Sequence, residues 1–293
     1  MSGYPSTEAL LEASRELDLL STEDQLRLMN EADGEIAGLV RTQIPRIAAA
    51  VQAISARLES GGHLIYSGAG SSGRLGVLDA AECPPTFGVP PELVRGVIAG
   101  GAAALTTAIE GAEDDPAAGA ADLGGITPRD CVVGIAASGQ TPYVLGALRH
   151  ARALGALTAA IVCVPDSPIA RAVDHPIEVP TGAEVLAGST RLRAGTATKM
   201  VLNMLSTAVM IRLGHVYGNL MVNLQPTNAK LLERARRIVA QLTGVSPTRA
   251  AELLEASGRN VRTAVIMEKK GLPRAAAEQW LAAHRGRLRS ALS

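Results

Sequence analysis

Aromatic side chains are almost missing from this chain: Phe, Tyr and Trp make up 2% of its 293 residues, with a single Phe and a single Trp. Its 47% apolar content therefore rests on Ala, Val, Leu and Ile, a composition that suits a buried parallel sheet flanked by helices. Net charge is missing too, with 28 Lys and Arg set against 28 Asp and Glu. A chain whose main partner was nucleic acid would normally carry a basic excess; Arg285, Arg287 and Arg289, crowded near the end, read as a solvated helix end. Cysteine is scarce. Cys83, Cys131 and Cys163 are odd in number and include no Cys-x-x-Cys pair, and the last two sit in apolar strand-like runs, as buried thiols do. No apolar run is long enough to span a bilayer, and no signal segment opens the chain, so a soluble protein of the reducing cytoplasm is expected. His63, His150, His175, His215 and His284 lack ligand spacing, and no metal is expected.

The length allows one large α/β domain and a small appendage. After a polar N-terminal stretch with a short helix following Ser21-Thr22, the residues Ile36, Val40, Ile44, Ile47, Val51, Ile54 and Leu58 form one apolar stripe at helical spacing, with Pro45 as a kink. Strand-like runs follow at His63–Ser67, Val94–Ala99, Cys131–Ala136, Thr158–Val164 and, more weakly, Ile177–Val179, with helical stretches such as Val144–Leu154 between them. That β-α-β rhythm predicts a parallel sheet with helices on both faces. Beyond Gly218 no strand signal remains. Four helical segments are expected at about 227–242, 246–256, 259–269 and 273–288, punctuated by Gly258 and Gly271, with Leu253, Leu254, Val261, Val265 and Trp280 as their core. The predicted organisation is N-terminal helices over 1–60, a sheet domain over 61–244 and a helical module over 245–293.

Two loops are suited to an anion. The first strand runs into Ser67-Gly-Ala-Gly-Ser-Ser-Gly-Arg74, formally a G-x-G-x-x-G between strand and helix. A dinucleotide site of that kind needs an acidic residue after the second strand for the ribose, and Gly100-Gly101 stands there instead. The third strand runs into Ala136-Ala-Ser-Gly-Gln-Thr-Pro142. Ser and Thr at a helix start either cap orphan N–H groups or, with those same groups, bind a phosphate. Two such loops at the strand ends of one sheet favour the phosphate.

Ser138-Gly-Gln-Thr141 resembles the sugar-phosphate loop of SIS (sugar isomerase) domains. Gly73-Arg-Leu-Gly-Val-Leu-Asp-Ala-Ala-Glu-Cys-Pro-Pro-Thr-Phe-Gly88, the segment from Gly182 to Lys199, and Glu110-Gly-Ala-Glu-Asp-Asp115 resemble segments of the N-acetylmuramic acid 6-phosphate etherases and the related glucokinase regulatory proteins. The likeness runs from about residue 20 to the C-terminus, with Ala183 and Arg193 standing where Pro and Lys are expected. It implies an SIS-type parallel sheet flanked by helices with a small C-terminal helical module, here similar to ubiquitin-associated three-helix folds, and a homodimer. It also implies a carbon–oxygen lyase that removes D-lactate from N-acetylmuramic acid 6-phosphate during cell-wall recycling, without cofactor.

The resemblance places the catalytic carboxylates at Glu82 and Glu113. From the residues alone, Glu82 is either a solvated helix-end carboxylate or one desolvated among apolar neighbours, ahead of Cys83-Pro84-Pro85, which is expected to end its helix. Glu113 lies in an acidic run that is otherwise a solvated face. With Glu82 as proton donor and Glu113 as base, the expected substrate contacts are Ser71, Ser72, Ser138, Gly139, Thr141, Glu184, Ser189 and Arg191, with Arg191 or Lys199 facing an anionic group. The alternative is a non-catalytic sugar-phosphate sensor on the same fold. Two SIS units, as in the longer regulatory proteins, are not present in this chain.

Overall fold

Five short strands, β1 (Leu64–Gly68), β2 (Val94–Ile98), β3 (Cys131–Ala136), β4 (Leu157–Val162) and β5 (His175–Glu178), pair in parallel in the order β2-β1-β3-β4-β5. The computed structural model describes residues 6–226 and 228–293. Every residue of β1 and β3 is buried, as their unbroken apolar runs require when helices cover both faces. All five strand-like runs of the sequence are strands, within a residue or two of the expected ends.

By its contacts the chain forms two units. One comprises residues up to Ala81 with Pro91–Thr207; the other comprises Glu82–Pro90 with Ala208–Ser293. The first holds the sheet. Its N-terminal helices are α1 (Thr22–Gly34), capped by Ser21, then α2 (Ile36–Thr42) and α3 (Ile44–Glu59). The expected single kinked helix is two helices parted at Gln43. Pro45 has no N–H for the Arg41 carbonyl, so the ladder breaks one turn earlier and Ile44 drops out of the stripe, 49% exposed. The remaining stripe positions, Ile36, Val40, Ile47, Val51, Ile54 and Leu58, are buried as expected.

Helix α4 (Gly70–Phe87) follows β1, α5 (Pro116–Ala121) and α6 (Pro142–Ala153) flank β3, α7 (Pro168–Arg171) precedes β5, and α8 (Arg193–Leu213) follows it. On one face Val144, Ala147 and Leu148 of α6 meet Ile65 and Val132 of the sheet. On the other, the buried Asp79 of α4 accepts from Tyr66 Oη at 3.0 Å, Asn203 Nδ2 at 2.7 Å and Ser206 Oγ at 3.2 Å, tying α4 and α8 to β1. The free thiols of Cys131 and Cys163 are buried, and burial pushes both up to about 12.

The division between the units falls within α4 and within α8. Pro84-Pro85 does not end α4: the helix runs on to Phe87 without the bonds those two residues cannot donate. In the second unit, Asn223 Nδ2 donates to the carbonyls of Phe87 and Gly88. This unit contains α9 (Ala229–Thr243), α10 (Pro247–Ala256), α11 (Val261–Lys270), α12 (Arg274–Ala283) and α13 (Leu288–Leu292). The last expected segment is thus two helices, because Arg285 (φ 53°) and Gly286 (φ 69°) take left-handed backbone that no α-helix contains. Leu253, Leu254, Val261 and Val265 are core, but Trp280 is 39% exposed, its Nε1 donating to the Ala291 carbonyl at 2.8 Å. An indole with a polar edge settles at the rim, and Ala277 and Leu281 fill the interior instead.

Candidate active site

Strand order decides where a ligand fits. β1 connects outward to β2 and β3 connects the other way to β4, so the chain's direction reverses between the central neighbours β1 and β3. Open α/β sheets bind ligands in the crevice at the C-terminal ends of such a pair, here strands about 4.8 Å apart. The two hydroxyl-rich loops leave from those two ends.

The first loop is set by contact between backbones. A Cβ on Gly68 would lie 2.8 Å from Gly73 N, and one on Gly73 would lie 2.8 Å from Gly68 O, so α4 meets β1 too closely for any side chain. The glycine spacing thus has the packing role it has in nucleotide folds, without the acidic partner. The first backbone bond of α4 runs from Gly73 N to Ala69 O at 3.0 Å, which leaves the N–H groups of Gly70, Ser71 and Ser72 pointing out of the helix start. Among the described residues, the half-buried hydroxyls of Ser71 and Ser72 have no hydrogen-bond partner.

The second loop behaves alike. Thr141 is the N-cap residue of α6, yet its side chain caps nothing. Ser138 Oγ accepts only a long 3.4 Å bond from Gln140 N. Gly139 (φ 67°) sits where a Cβ would be 2.3 Å from Ser167, so the loop is pressed against the start of α7 and its shape is fixed by packing. Plain capping does not account for these hydroxyls, and beside the N–H groups of a helix start they are free to donate.

Glu113 lies on a short turn, Ala112–Asp114, exposed and without a hydrogen-bond or ionic partner among the described residues. It lines a cavity of about 190 Å³ with Ala69 and Gly70 of the first loop, Arg74 and Glu110. The acidic run therefore divides by role. Asp115 caps α5 through Ala117 N at 2.8 Å and Ala118 N at 3.0 Å, while Glu110 and Glu113 face the cavity. A larger groove of about 760 Å³ runs along edge strand β2, but its charged lining is Glu110, Asp115 and Asp122, with no cation to receive an anion.

The other predicted residues are less concentrated. Glu82 is exposed on α4 and belongs by its contacts to the second unit, so the desolvation read from its apolar neighbours is not found in the single chain. Glu184 is fully buried, and its two oxygens accept from Arg193 N at 2.9 Å and Ala194 N at 3.0 Å, closing the start of α8. Ser189 and Arg191 lie on the turns before α8, Ser189 half-buried and Arg191 exposed; Lys199 is exposed on α8. The two departures from the family pattern meet: buried Arg193 pairs with Glu35 at 2.6 Å and reaches the Ala183 carbonyl at 3.5 Å. Arg74 was not singled out by sequence. Its signal was its place just past the first turn of the helix that follows the phosphate-type loop.

A five-stranded parallel sheet in this order, with free hydroxyls at the helix starts on either side of its reversal point, defines an SIS-domain protein, and residues 111–208 match the SIS domain. Residues 46–152 match the glucokinase regulatory protein N-terminal SIS domain. A phosphosugar isomerase from Bacteroides fragilis, described as putative and as involved in capsule formation, shares the fold with TM-score 0.50 and 21% identity, over 66% of this chain and 94% of that one. The N-acetylmuramic acid 6-phosphate etherases of Salmonella agona and Salmonella typhi are each 53% identical to the chain over 279 residues, 94% of both lengths. The chain belongs to the N-acetylmuramic acid 6-phosphate etherase family.

Proposed function

We propose that the chain cleaves the D-lactyl ether of N-acetylmuramic acid 6-phosphate, giving N-acetylglucosamine 6-phosphate and D-lactate. The observation that carries this reading is Glu113: a carboxylate with no partner of its own among the described residues, in a cavity that begins at the first phosphate-type loop. Identity of 53% to the Salmonella etherases, spread over nearly the whole chain, supports it.

An alkyl ether resists water because an alkoxide leaves poorly. Opening the sugar hemiacetal exposes an aldehyde at C1, which acidifies the C2 proton and places the ether oxygen at C3 in the β position. Glu113 removes the C2 proton. Glu82 protonates the departing lactate oxygen as the C3–O bond breaks, and an unsaturated aldehyde results. Water then adds at C3 and a proton returns to C2. Each proton transfer by a positioned carboxyl group contributes about 10²–10⁴-fold. The N–H groups at the starts of α4 and α6, with Ser71, Ser72, Ser138 and Thr141, hold the 6-phosphate, and Gly139 keeps the second loop in shape. Ser189 and Arg191 complete the substrate contacts, and Glu184 contributes by fixing the start of α8. The protein acts as a homodimer in the cytoplasm.

The test is direct. Purified protein incubated with N-acetylmuramic acid 6-phosphate releases D-lactate in step with N-acetylglucosamine 6-phosphate. A sensor, the reading that the regulatory-domain match favours, would bind the sugar phosphate and release none.

A further inference from the structure

We infer that Arg74 binds the carboxylate of the substrate's lactyl group and so selects lactyl ethers over uncharged ones; this rests on the etherase reading above. Arg74 is the cation lining the cavity that holds Glu110 and Glu113. Its Nε donates to the Leu105 carbonyl at 3.1 Å and its Nη2 to the Thr107 carbonyl at 3.4 Å, which fixes the plane of the guanidinium. Those two bonds use two of five N–H groups. No carboxylate of the described residues pairs with Arg74, although the flanking acidic run would readily supply one.

Size and charge both point to the lactyl arm. At about 190 Å³ the cavity is smaller than the ~300–1,000 Å³ of sites that enclose a whole drug-sized ligand, so it takes a part of the substrate. A carboxylate entering beside Glu110 and Glu113 meets like charge unless a cation receives it, and a planar guanidinium receives a carboxylate with two parallel bonds. The covalent path adds a constraint. From the lactyl carboxyl carbon the chain runs through the lactyl carbon, the ether oxygen and C3 to C2. Holding one end on Arg74 therefore brings the C2 proton towards Glu113, which lines the same space.

Arg74→Met and Arg74→Lys are compared with wild type on two ethers of N-acetylglucosamine 6-phosphate, the natural lactyl ether and its neutral lactamide. Loss of a charge-assisted contact predicts a fall of about ten-fold to a hundred-fold in kcat/KM for the lactyl ether in Arg74→Met. The same variant should stay within two-fold of wild type on the lactamide, and Arg74→Lys should recover part of the lactyl preference. Deuterium wash-in at C2 of N-acetylglucosamine 6-phosphate, which has no lactyl group, should persist in both variants. Equal losses on both ethers, or no loss on either, would overturn the assignment. Absence of lactate release by the wild type would instead overturn the etherase reading, and the two failures are thereby told apart.

Discussion

The helix starts of the sheet unit and those of the C-terminal unit carry similar residues and use them differently. In the C-terminal unit Asn228, Ser246 and Asn260 each accept from the backbone N–H three residues on, at 2.9, 3.2 and 3.0 Å, as capping predicts. In the sheet unit, where α4 and α6 start beside the reversal point, Thr141 stands at the N-cap and caps nothing, and Ser71 and Ser72, in the first turn of α4 behind the N-cap Ala69, have no hydrogen-bond partner among the described residues. Elsewhere in that unit caps are made: Ser21 on α1, Asp115 on α5, Ser167 on α7 and Glu184 on α8. The composition of a helix start therefore does not decide its use. Position beside the reversal point of the sheet does, since Ser167 after β4 still caps its helix, and hydroxyls left free at that point are available to a ligand rather than to the fold.

The comparison can be broken from either side. The largest expected effect is on chemistry: Glu113→Gln should lower turnover by about 10²–10⁴-fold while circular dichroism and thermal unfolding stay at wild type, because the carboxylate supports no contact of the fold. A smaller effect is expected from the free hydroxyls. Ser138→Ala and Thr141→Val should each raise KM for the phosphorylated substrate roughly ten-fold, with stability unchanged; a loss of stability without a change in KM would return these residues to capping. The reverse result is expected in the other unit, where Asn260→Ala should cost about 1 kcal/mol in urea unfolding and leave KM alone.

The smallest effect at neutral pH comes from His215. Burial first, and then the nearby Arg262, lowers its pKa to about 4, and its Nδ1 accepts from Asn223 Nδ2 at 2.8 Å, so the folded ring is neutral. The unfolded ring protonates near its ordinary value of 6.5 and the folded one resists until about 4. Stability is therefore full above pH 6.5 and falls as pH drops towards 4. His215→Asn, which keeps an acceptor without the titration, should flatten that part of the unfolding profile.

The fold was legible because its signals are local. Apolar runs of five or six residues and glycines at fixed offsets mark strands and tight turns without reference to anything distant. Where the sequence reading failed, a longer-range or finer preference decided. Pro45 separated two helices that the stripe had joined, and Pro84-Pro85 was carried inside α4. Trp280 took the rim because its N–H needed a carbonyl. At the site, the loops and Glu113 were visible as residue types. The capping role of Glu184 depends on a turn that brings it back to the helix start nine and ten residues on. The placement of Arg74 beside Glu113 depends on β1 neighbouring β2, and spacing along the chain does not encode that.

In the proposed reaction the ether breaks by elimination across C2 and C3. Running the reaction in deuterium oxide enriched in oxygen-18, with both products analysed by mass spectrometry and NMR, tests it most directly. Elimination predicts deuterium at C2 and oxygen-18 at C3 of N-acetylglucosamine 6-phosphate, with the ether oxygen retained in unlabelled D-lactate. Oxygen-18 in the lactate, with hydrogen kept at C2, would mean displacement at the lactyl carbon and would contradict it.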